Sequence, residues 1–331
     1  MTAPLAPESE ELLEIARSGR PRPAIGFAQD LVRSGLPFDR LVADHLVPVQ
    51  REVGRLWQEN RWTVADEHAA SAVIDGVVGA LALDLSEPDV PIGHVLVACV
   101  EEEYHSLPAR LGTELLRHAG WAVTFLGASV PAQDLQTYAV ETGPDVVVLS
   151  CTFAEHLYGA RRCVAAVGDL GLPAVVAGAA TAAGPRLVDW LGASAAIVSG
   201  ADASEVLSRP LAPAQRREER VPSALALELD ASEMAEACMS RLFPTIGQMG
   251  RYTPQQLAST RSDVDHLLRH LVLAVDVAEP ALFDDLVRWL QLTLTARRVP
   301  ASVLPDSLAV LAEVLRRAGH EAAAAVCAGA T

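Results

Sequence analysis

Residues 94–105 read HVLVACVEEEYH, an apolar run that ends in an acidic loop with one histidine. The run 94–100 predicts a buried strand, and Glu103 and His105 lie in the loop after it. Open α/β folds bind their ligands at this carboxyl edge of the sheet. Glu103 can accept the proton on one ring nitrogen of His105, which fixes the tautomer and makes the other nitrogen a better metal ligand. An ordinary loop histidine is the alternative interpretation.

Similar apolar runs recur downstream, each separated from the next by a helical pattern. We predict strands at 94–100, 121–126, 145–150, 173–177 and 195–199. The segments between and after them predict helices at 106–119, 132–142, 155–170, 183–192 and 202–208. Buried strands that alternate with helices indicate a parallel, doubly wound sheet of the flavodoxin or Rossmann-like type. We place this domain at residues 89–208.

Small and polar residues stand at the carboxyl ends of two more predicted strands. Ser150 and Thr152 follow the third strand, and Gly178 and Ala179 follow the fourth. A doubly wound sheet gathers these loops along the edge that carries the histidine loop. Small residues there let a ligand approach the backbone closely. No GxGxxG motif opens the first helix, so the dinucleotide-binding fingerprint is absent from the sequence.

The segment 8–88 precedes the sheet and predicts a bundle of four helices, which we treat as a cap domain. The third helix ends near Trp57. The fourth begins at Thr63, with Asp66 three residues on in the position of an imperfect capping box.

One face of that fourth helix carries three residues of mixed chemistry. Val64, Glu67 and His68 stand at i, i+3 and i+4, so they share one face of the first turn. Trp57, from the end of the preceding helix, can close over the same spot. The alternative is a tryptophan buried in the bundle core beside two solvated polar residues.

Charge and composition exclude several classes of function. The formal net charge of -16 and the pI of about 4.9 argue against a sequence-independent grip on nucleic acid or on an anionic membrane. All 26 lysine and arginine positions are arginine, so neither a Schiff-base lysine nor a P-loop lysine is available. The 5 cysteines are odd in number and never spaced as CxxC, which disfavours a disulfide framework or a zinc site. With no long apolar run and no signal peptide, we expect a soluble, cytoplasmic protein without a membrane partner.

A segment rich in proline and charge, 209–222, predicts a linker to a last domain at 223–331. Helical spacing of apolar residues predicts helices near 231–242 and at 255–276, 281–298 and 302–318. The last domain is therefore expected to be all-α. No kinase, cyclase, phosphodiesterase or DNA-binding motif is present, so we expect no enzymatic activity and an output through assembly state or a separate partner.

The order helical bundle, acidic-x-His, Ser-x-Thr and Gly-Ala resembles a cobalamin-binding module, as does the segment WAVTFLGASVP at 121–131. In that family a D-x-H-x-x-G loop places its histidine under the corrin as lower cobalt ligand, and the displaced dimethylbenzimidazole tail enters a slot beside the later loops. The resemblance implies that His105 is the lower ligand. It implies cofactor contacts from Glu103, Ser106, Leu107, Ser150, Thr152, Gly178 and Ala179. Three positions depart from the family pattern, with Glu103 for Asp, Pro108 for Gly and Ala179 for the second Gly.

The spacing Trp57-x9-Glu67-His68 resembles the cap of CarH/LitR-type B12 photoreceptors. In that family these positions pack against the adenosyl group on the upper face of the cofactor. The resemblance therefore implies adenosylcobalamin as the cofactor, with Trp57, Val64, Glu67 and His68 around the adenosyl group. It also implies that His68 can bind cobalt after photolysis.

Three interpretations of the cap and sheet follow. The first is a light sensor in which light breaks the Co–C bond of adenosylcobalamin and the cap responds. The second is a corrinoid shuttle of a methyltransferase system, with the same lower ligand. The third is a dimerising scaffold without cofactor. CarH-type repressors carry a winged helix-turn-helix ahead of the cap, whereas few residues precede the first predicted helix here. Together with the acidic charge, this leads us to expect no direct nucleic-acid partner, and either a homo-oligomer or a separate signalling partner.

The last domain resembles globin-like sensor domains, and the whole order of domains is similar to photocobilins, in which B12 modules are fused to a bilin-binding globin-like domain. The resemblance implies biliverdin or another linear tetrapyrrole as a second chromophore. The residues expected to contact it are Asp263, His266, Arg269 and His270. Haem binding through His266 or His270, and a purely dimerising role, are the alternatives.

Overall fold

The structure is a computed structural model that describes residues 4–85, 89–217 and 219–330. It divides into two compact units, Met1–Ala182 with Leu191–Arg217, and Ala183–Trp190 with Glu218–Thr331. The first unit contains the helical cap and the parallel sheet. In the described part of the chain, none of the helices is both long and apolar enough to cross a membrane.

The first unit opens with the helical cap. Its helices are α1 (Pro7–Arg17), α2 (Pro21–Arg33), α3 (Phe38–Leu41), α4 (Val47–Gln58) and α5 (Val64–Ala82). A π-helical turn, Val42–Leu46, joins α3 to α4, so the cap has four helical segments as predicted. Pro48 cannot donate a backbone hydrogen bond to the carbonyl of Asp44. The hydroxyl of Ser9 on α1 donates to that carbonyl instead, at 3.3 Å.

The start of α5 is fixed by a complete capping box. The Thr63 hydroxyl accepts from the backbone N–H of Asp66 at 3.1 Å, and the Asp66 carboxylate accepts from the backbone N–H of Thr63 at 2.8 Å. Thr63 is therefore the N-cap, and the helix itself begins at Val64, one residue later than predicted. Because the first turn is held in this way, the side chains that follow Thr63 project from a defined backbone.

Five strands form the parallel sheet of the first unit. They are β1 (His94–Cys99), β2 (Ala122–Phe125), β3 (Val146–Ser150), β4 (Ala174–Ala177) and β5 (Ala195–Ile197), in the order β2-β1-β3-β4-β5. The helices between and after them are α6 (Leu107–His118), α7 (Ala132–Thr142), α8 (Leu157–Gly168), α9 (Pro185–Leu191) and α10 (Ala203–Leu207). All four strand pairs are parallel, and each strand lies where the apolar runs predicted it. The doubly wound fold is therefore confirmed.

Helix α6 packs against both parts of the first unit. Leu111 is a member of the buried cap core, and Leu107 and Leu115 pack against that core at helical spacing. Ala109 and Leu116, on the other side of α6, belong to the core under the sheet. The cap therefore rests on the helix that directly follows the His105 loop.

The second unit is helical, as predicted. Its helices after the sheet are α11 (Pro222–Thr245), α12 (Pro254–Val277), α13 (Ala281–Ala296), α14 (Val303–Arg317) and α15 (Glu321–Gly329). Helix α11 is longer than predicted because Pro222 starts it and an Ala- and Leu-rich segment follows. The prediction missed α15, whose alanine-rich sequence gives little amphipathic pattern. The globin-like character of this unit stays a prediction.

The segment predicted as a linker makes ordered contacts. The backbone N–H of Ala214 donates to the carbonyl of Leu172 at 3.0 Å. The backbone N–H of Gln215 donates to the carbonyl of Gly192 at 2.8 Å. The first part of the segment is therefore attached to the sheet domain. The predicted cap end at residue 88, residue 218 of the predicted linker and the last residue, 331, lie outside the described residues.

Candidate cofactor site at the carboxyl edge of the sheet

The loops after β1 and β3 lie side by side at the carboxyl edge of the sheet. At this point the strand order reverses, since β2 lies on one side of β1 and β3 on the other. Strand β1 pairs with β2 on one side and with β3 on the other, so the connections from β1 and β3 run to opposite sides of the sheet. Doubly wound folds bind their ligands at this switch point. The predicted loop residues therefore meet at one place, although about 50 residues separate them in the chain.

Glu103 is the centre of this arrangement, with a side chain that is 0% exposed. One carboxylate oxygen accepts from the backbone N–H of His105 at 2.9 Å and from its ring Nδ1 at 2.7 Å. The other accepts from the backbone N–H groups of Thr152 at 2.7 Å and Phe153 at 3.2 Å. Burial raises the pKa of Glu103, but these four hydrogen bonds together outweigh burial and leave the pKa below its usual value. A buried carboxylate thus ties the β1 loop to the β3 loop.

His105 presents its free ring nitrogen to the site. Nδ1 is held by Glu103, and Nε2 makes no hydrogen bond with any described residue, while the side chain is 55% exposed. The hydrogen bond that His105 donates to Glu103 raises the pKa of His105. Burial opposes this rise, and the charges of Glu103, Glu67 and Glu155 add to it. In the neutral ring the proton lies on Nδ1, so Nε2 carries a lone pair that can bind a metal. The predicted tautomer-fixing contact is therefore present.

The β3 loop places an aromatic side chain, Phe153, against His105. The Phe153 ring lies edge-on to the imidazole, with centroids 4.7 Å apart, and the His156 ring lies edge-on to Phe153 at 6.4 Å. The Thr152 hydroxyl is buried without a hydrogen-bond partner among the described residues, and so is Nδ1 of His156. Buried polar atoms normally find partners. These two atoms are thus available to polar groups of a ligand.

The loop after β4 brings the backbone close to the same place. Gly178 has φ +104°, and a Cβ at this position would lie 2.3 Å from the carbonyl oxygen of Cys151. Only glycine fits there. Ala179 follows in a 3₁₀ turn, and Ser150 is buried at the end of β3. The predicted slot residues therefore line adjacent strand ends, β3 and β4 being hydrogen-bonded neighbours.

The β1 loop connects directly to the cap-bearing helix. Ser106 precedes the first residue of α6 and makes no side-chain cap, and its backbone N–H donates to the carbonyl of Tyr104 at 2.9 Å. Leu107 is half-buried against the cap core. The structure thus assigns Leu107 a packing role between cap and sheet, and a cofactor contact from Ser106 or Leu107 stays a prediction.

On the cap side, α5 carries a hydrogen-bonded polar group. The Glu67 carboxylate accepts from the Ser71 hydroxyl at 2.7 Å and pairs through its other oxygen with Nδ1 of His68. The Ser71 hydroxyl in turn accepts from the Gln50 side chain on α4 at 2.7 Å. His68 is therefore held as His105 is, with a carboxylate on Nδ1 and Nε2 left toward solvent. The charge of Glu67 also contributes to the raised pKa of His105.

Trp57 and Val64 are the remaining predicted cap residues. Trp57 is half-buried near the end of α4, and Val64 is 53% exposed on the first turn of α5. The exposed Val64 and the exposed His68 therefore present apolar and polar surface on one face of the helix. The arrangement suits a ligand that has both kinds of surface.

Several residues of the site were not predicted from the sequence. They are Gln50, Ser71, Phe153 and His156. Ser71 could have been found, because it stands at i+4 from Glu67 on the same helix face. The others could not, since their contacts depend on how α4 packs beside α5 and how the β3 loop folds.

The predicted residues of the second unit lie on α12. Asp263, His266 and His270 share one face, with Nδ1 of His266 donating to the Ser262 carbonyl and Nδ1 of His270 to the His266 carbonyl, both at 2.9 Å. Burial raises the pKa of Asp263, and the charges of His266 and Arg297 lower it less. Arg269 is exposed on the same helix. Within the described residues, no group of three or more His, Cys, Asp and Glu could hold a metal ion.

Two family models match the cap and the sheet domain, and both are described as a B12 binding domain. One covers residues 93–208 and the other covers residues 9–82. These ranges correspond to the sheet domain and the cap. Neither includes the helical unit from α11 onward.

Two curated relatives are named as transcriptional repressors of Myxococcus xanthus. The chain is 32% identical over 188 residues to the HTH-type transcriptional repressor CarH, covering 54% of this chain and 60% of CarH. It is 37% identical over 138 residues to the HTH-type transcriptional repressor CarA, covering 38% of this chain and 46% of CarA. The chain thus spans about half the length of these relatives. Their names run against our expectation that nucleic acid is not a partner.

A solved structure shares the fold of the first unit. The monomethylamine corrinoid protein of Methanosarcina barkeri superimposes with a TM-score of 0.53 and 16% identity, covering 60% of this chain and 95% of that protein.

The site geometry fits the group that these domains hold. A single imidazole nitrogen suits a metal whose other positions are filled by a macrocycle. The buried Thr152 hydroxyl and the close backbone approach at Gly178 suit a slot for a ligand tail. Residues 9–82 and 93–208 therefore form a cobalamin-binding module similar to the corresponding parts of CarH and CarA.

Proposed function

We propose that the protein is a B12-dependent photoreceptor that binds adenosylcobalamin between the cap and the carboxyl edge of the sheet. The observation that carries the proposal is that two histidines, His105 and His68, are each held at Nδ1 by a carboxylate. One belongs to the sheet loop and the other to the cap. Bound adenosylcobalamin would supply a Co–C bond that visible light can break.

The lower side of the site supports this role through His105. Its Nε2 would act as the lower cobalt ligand, and Glu103 holds the ring in the orientation and tautomer that ligation needs. Thr152, Ser150, Gly178 and Ala179 would line the slot for the ligand tail. The backbone hydrogen bonds to Glu103 keep both loops in place before the cofactor arrives, so little ordering accompanies binding.

The cap supports a bulky upper group. Trp57 and Val64 offer apolar surface, and Glu67 and His68 offer polar groups beside it. A methyl group on cobalt is too small to contact both the apolar and the polar residues of this face. After loss of the adenosyl group, His68 is the cap residue that we propose to bind cobalt, because a neutral imidazole is a good ligand for such metals.

The second candidate is a corrinoid shuttle that carries a methyl group. The fold shared with the monomethylamine corrinoid protein favours it. A shuttle must expose the upper face of its cofactor to another protein, whereas the half-buried Trp57 and the polar group on α5 favour a covered upper face. We therefore place the photoreceptor first.

We further propose that the helical unit from α11 to α15 binds a linear tetrapyrrole. Asp263, His266 and His270 share one face of α12 and could meet pyrrole N–H groups, and the exposed Arg269 could pair with a propionate. Co-expression with a haem oxygenase, followed by absorption spectroscopy, tests this. A band in the red supports the bilin. A colourless unit, or one with only a haem Soret band, rejects it.

The output is that of a regulator rather than an enzyme, in line with the names of the two relatives. Because both relatives are named as HTH-type transcriptional repressors, binding to DNA has to be tested, although the acidic net charge led us to expect no nucleic-acid partner. A gel-shift assay in the dark and in light, with the cofactor-loaded protein, separates direct binding to DNA from action through another protein.

Binding and illumination of the purified protein test the proposed function as a whole. The protein is mixed in the dark with adenosylcobalamin or methylcobalamin, and then exposed to light. A photoreceptor binds the adenosyl form in preference and changes its spectrum and assembly state in light. Equal binding of both forms, without a change of assembly in light, favours the shuttle.

A further inference from the structure

The hydrogen bonds among Glu67, His68 and Ser71 on α5 extend to Gln50 on α4. They fix the orientation of the Gln50 side-chain amide. An ionised Glu67 carboxylate only accepts hydrogen bonds, so the single proton of the Ser71 hydroxyl must point to it. Ser71 must then accept from Gln50, which requires that the Gln50 Nε2 faces Ser71, as observed at 2.7 Å. The carbonyl oxygen Oε1 of Gln50 therefore points the other way.

That Gln50 oxygen is buried and has no hydrogen-bond partner among the described residues. A buried acceptor without a donor costs about 1–3 kcal/mol of stability. The neighbouring side chains of Glu67, His68 and Ser71 are all hydrogen-bonded. An unpaired acceptor beside them is expected where a ligand supplies the missing donor. The oxygen is therefore a candidate ligand contact.

Helix α4 also leaves room beside Gln50. Gly54 and Trp57 stand at i+4 and i+7 from Gln50, so the three share one face of α4. A Cβ at Gly54 would have no atom within 4 Å outside its own helix. Helix α4 thus borders open space at Gly54, one turn from Gln50.

We propose that Gln50 is a specificity-determining residue for the upper axial group of the bound cobalamin. Its Oε1 accepts a hydrogen bond from a donor of a nucleoside, either an exocyclic amine or a ribose hydroxyl, that occupies the space in front of Gly54. Ser71 is a positioning residue, since it sets the Gln50 orientation while it holds Glu67. This inference rests on the proposed function and deepens it, because it names the chemistry that separates a nucleoside from a simple alkyl group.

The test is the effect of Gln50→Met on binding of two cofactors to the full chain in the dark. Methionine has a similar length but offers no strong acceptor. We expect the Kd for adenosylcobalamin to rise about five- to tenfold, as for loss of one hydrogen bond, and the Kd for methylcobalamin to stay within about twofold. Gln29→Met on α2 is the matched control and should change neither value.

Ser71 variants provide a second measurement if Gln50→Met fails to fold. Ser71→Ala should reduce the preference for adenosylcobalamin over methylcobalamin, whereas Ser71→Thr, which keeps the hydroxyl, should retain it. Equal weakening of both cofactors in Gln50→Met and Ser71→Ala, or no change in either, would overturn the inference. If the unmodified chain binds neither cobalamin, the proposed function itself fails. A wild-type preference for the adenosyl form that survives both variants rejects only the role of Gln50.

Discussion

Glu103 accepts a hydrogen bond from Nδ1 of His105 at 2.7 Å while its own side chain is fully buried. The same carboxylate accepts from two backbone N–H groups of the β3 loop, of Thr152 and Phe153. One residue therefore orients the imidazole and joins the two loops that flank it. The stability of the cofactor-free protein and the chemistry of His105 should both depend on it.

Glu103→Gln should lower the free energy of unfolding by about 1–3 kcal/mol, because the amide NH₂ would face one of the backbone N–H groups and leave a buried donor unpaired. Urea denaturation of the cofactor-free protein measures this. Glu102→Gln, at the exposed neighbouring position, should change stability by less than about 0.5 kcal/mol. Equal stability of the Glu103 variant and the wild type would mean that the carboxylate does not hold the loops together.

Cobalamin binding should weaken as pH falls. The Glu103 hydrogen bond raises the pKa of His105, and a protonated ring has no lone pair for cobalt. The contribution of this pair to folding is present below the unfolded-state pKa of about 6.5 and is lost as pH rises through the higher folded-state value. Cobalt binding depends on pH in the opposite direction, because it needs the neutral ring. It therefore strengthens as pH rises through the same range.

The measurement is the dark Kd for adenosylcobalamin as a function of pH. In wild type the midpoint should lie above about 6.5, and in Glu103→Gln it should move to lower pH. A midpoint that is unaffected by the Glu103 variant would show that another group controls the pH dependence.

Thr152→Val should have opposite effects on the two forms of the protein. Removal of the buried, unpaired hydroxyl should stabilise the cofactor-free protein by about 1 kcal/mol, whereas cobalamin should bind less tightly. Thr181→Val is the control, since the Thr181 hydroxyl donates to the Gly178 carbonyl at 2.9 Å and its loss should destabilise the cofactor-free protein. A Thr152 variant that loses stability in both forms would contradict a ligand-directed hydroxyl.

Gly54→Leu should exclude a bulky upper group. A Cβ at this position meets no atom within 4 Å, so the leucine side chain would extend into the open space on α4. Helix propensity also favours leucine over glycine by roughly 1 kcal/mol. Adenosylcobalamin should bind less tightly and methylcobalamin equally well, as judged by spectral titration. Gly26→Leu, at a similarly open position on α2, is the control. Unchanged adenosylcobalamin binding in Gly54→Leu would place the upper group elsewhere.

Much of the fold could be predicted because the signals are local. The valine-rich runs before Glu103 and after Gly143 are long and apolar enough to identify buried strands, and the pair Thr63 and Asp66 fixes a helix start. The loop residues His105 and Thr152 could be assigned to one edge because parallel strands end there.

The rest depends on contacts that spacing does not reveal. Glu103 was expected to pair with His105, but its bonds to the backbone of Thr152 and Phe153 join residues about 50 positions apart. The bond between Gln50 and Ser71 likewise depends on how α4 packs beside α5. In the second unit, helical leucine spacing predicts helices but not their arrangement, so it could not identify a ligand site.

The central claim is that His105 is the protein ligand to cobalt, and spectral titration of adenosylcobalamin in the dark tests it most directly. Wild-type protein and the control His118→Ala should bind the cofactor and show the spectrum of nitrogen coordination from the protein. His105→Ala should lose that signature and bind at least about tenfold more weakly, the smallest loss typical even of residues that only support a ligand. An unchanged spectrum and affinity in His105→Ala would contradict the account.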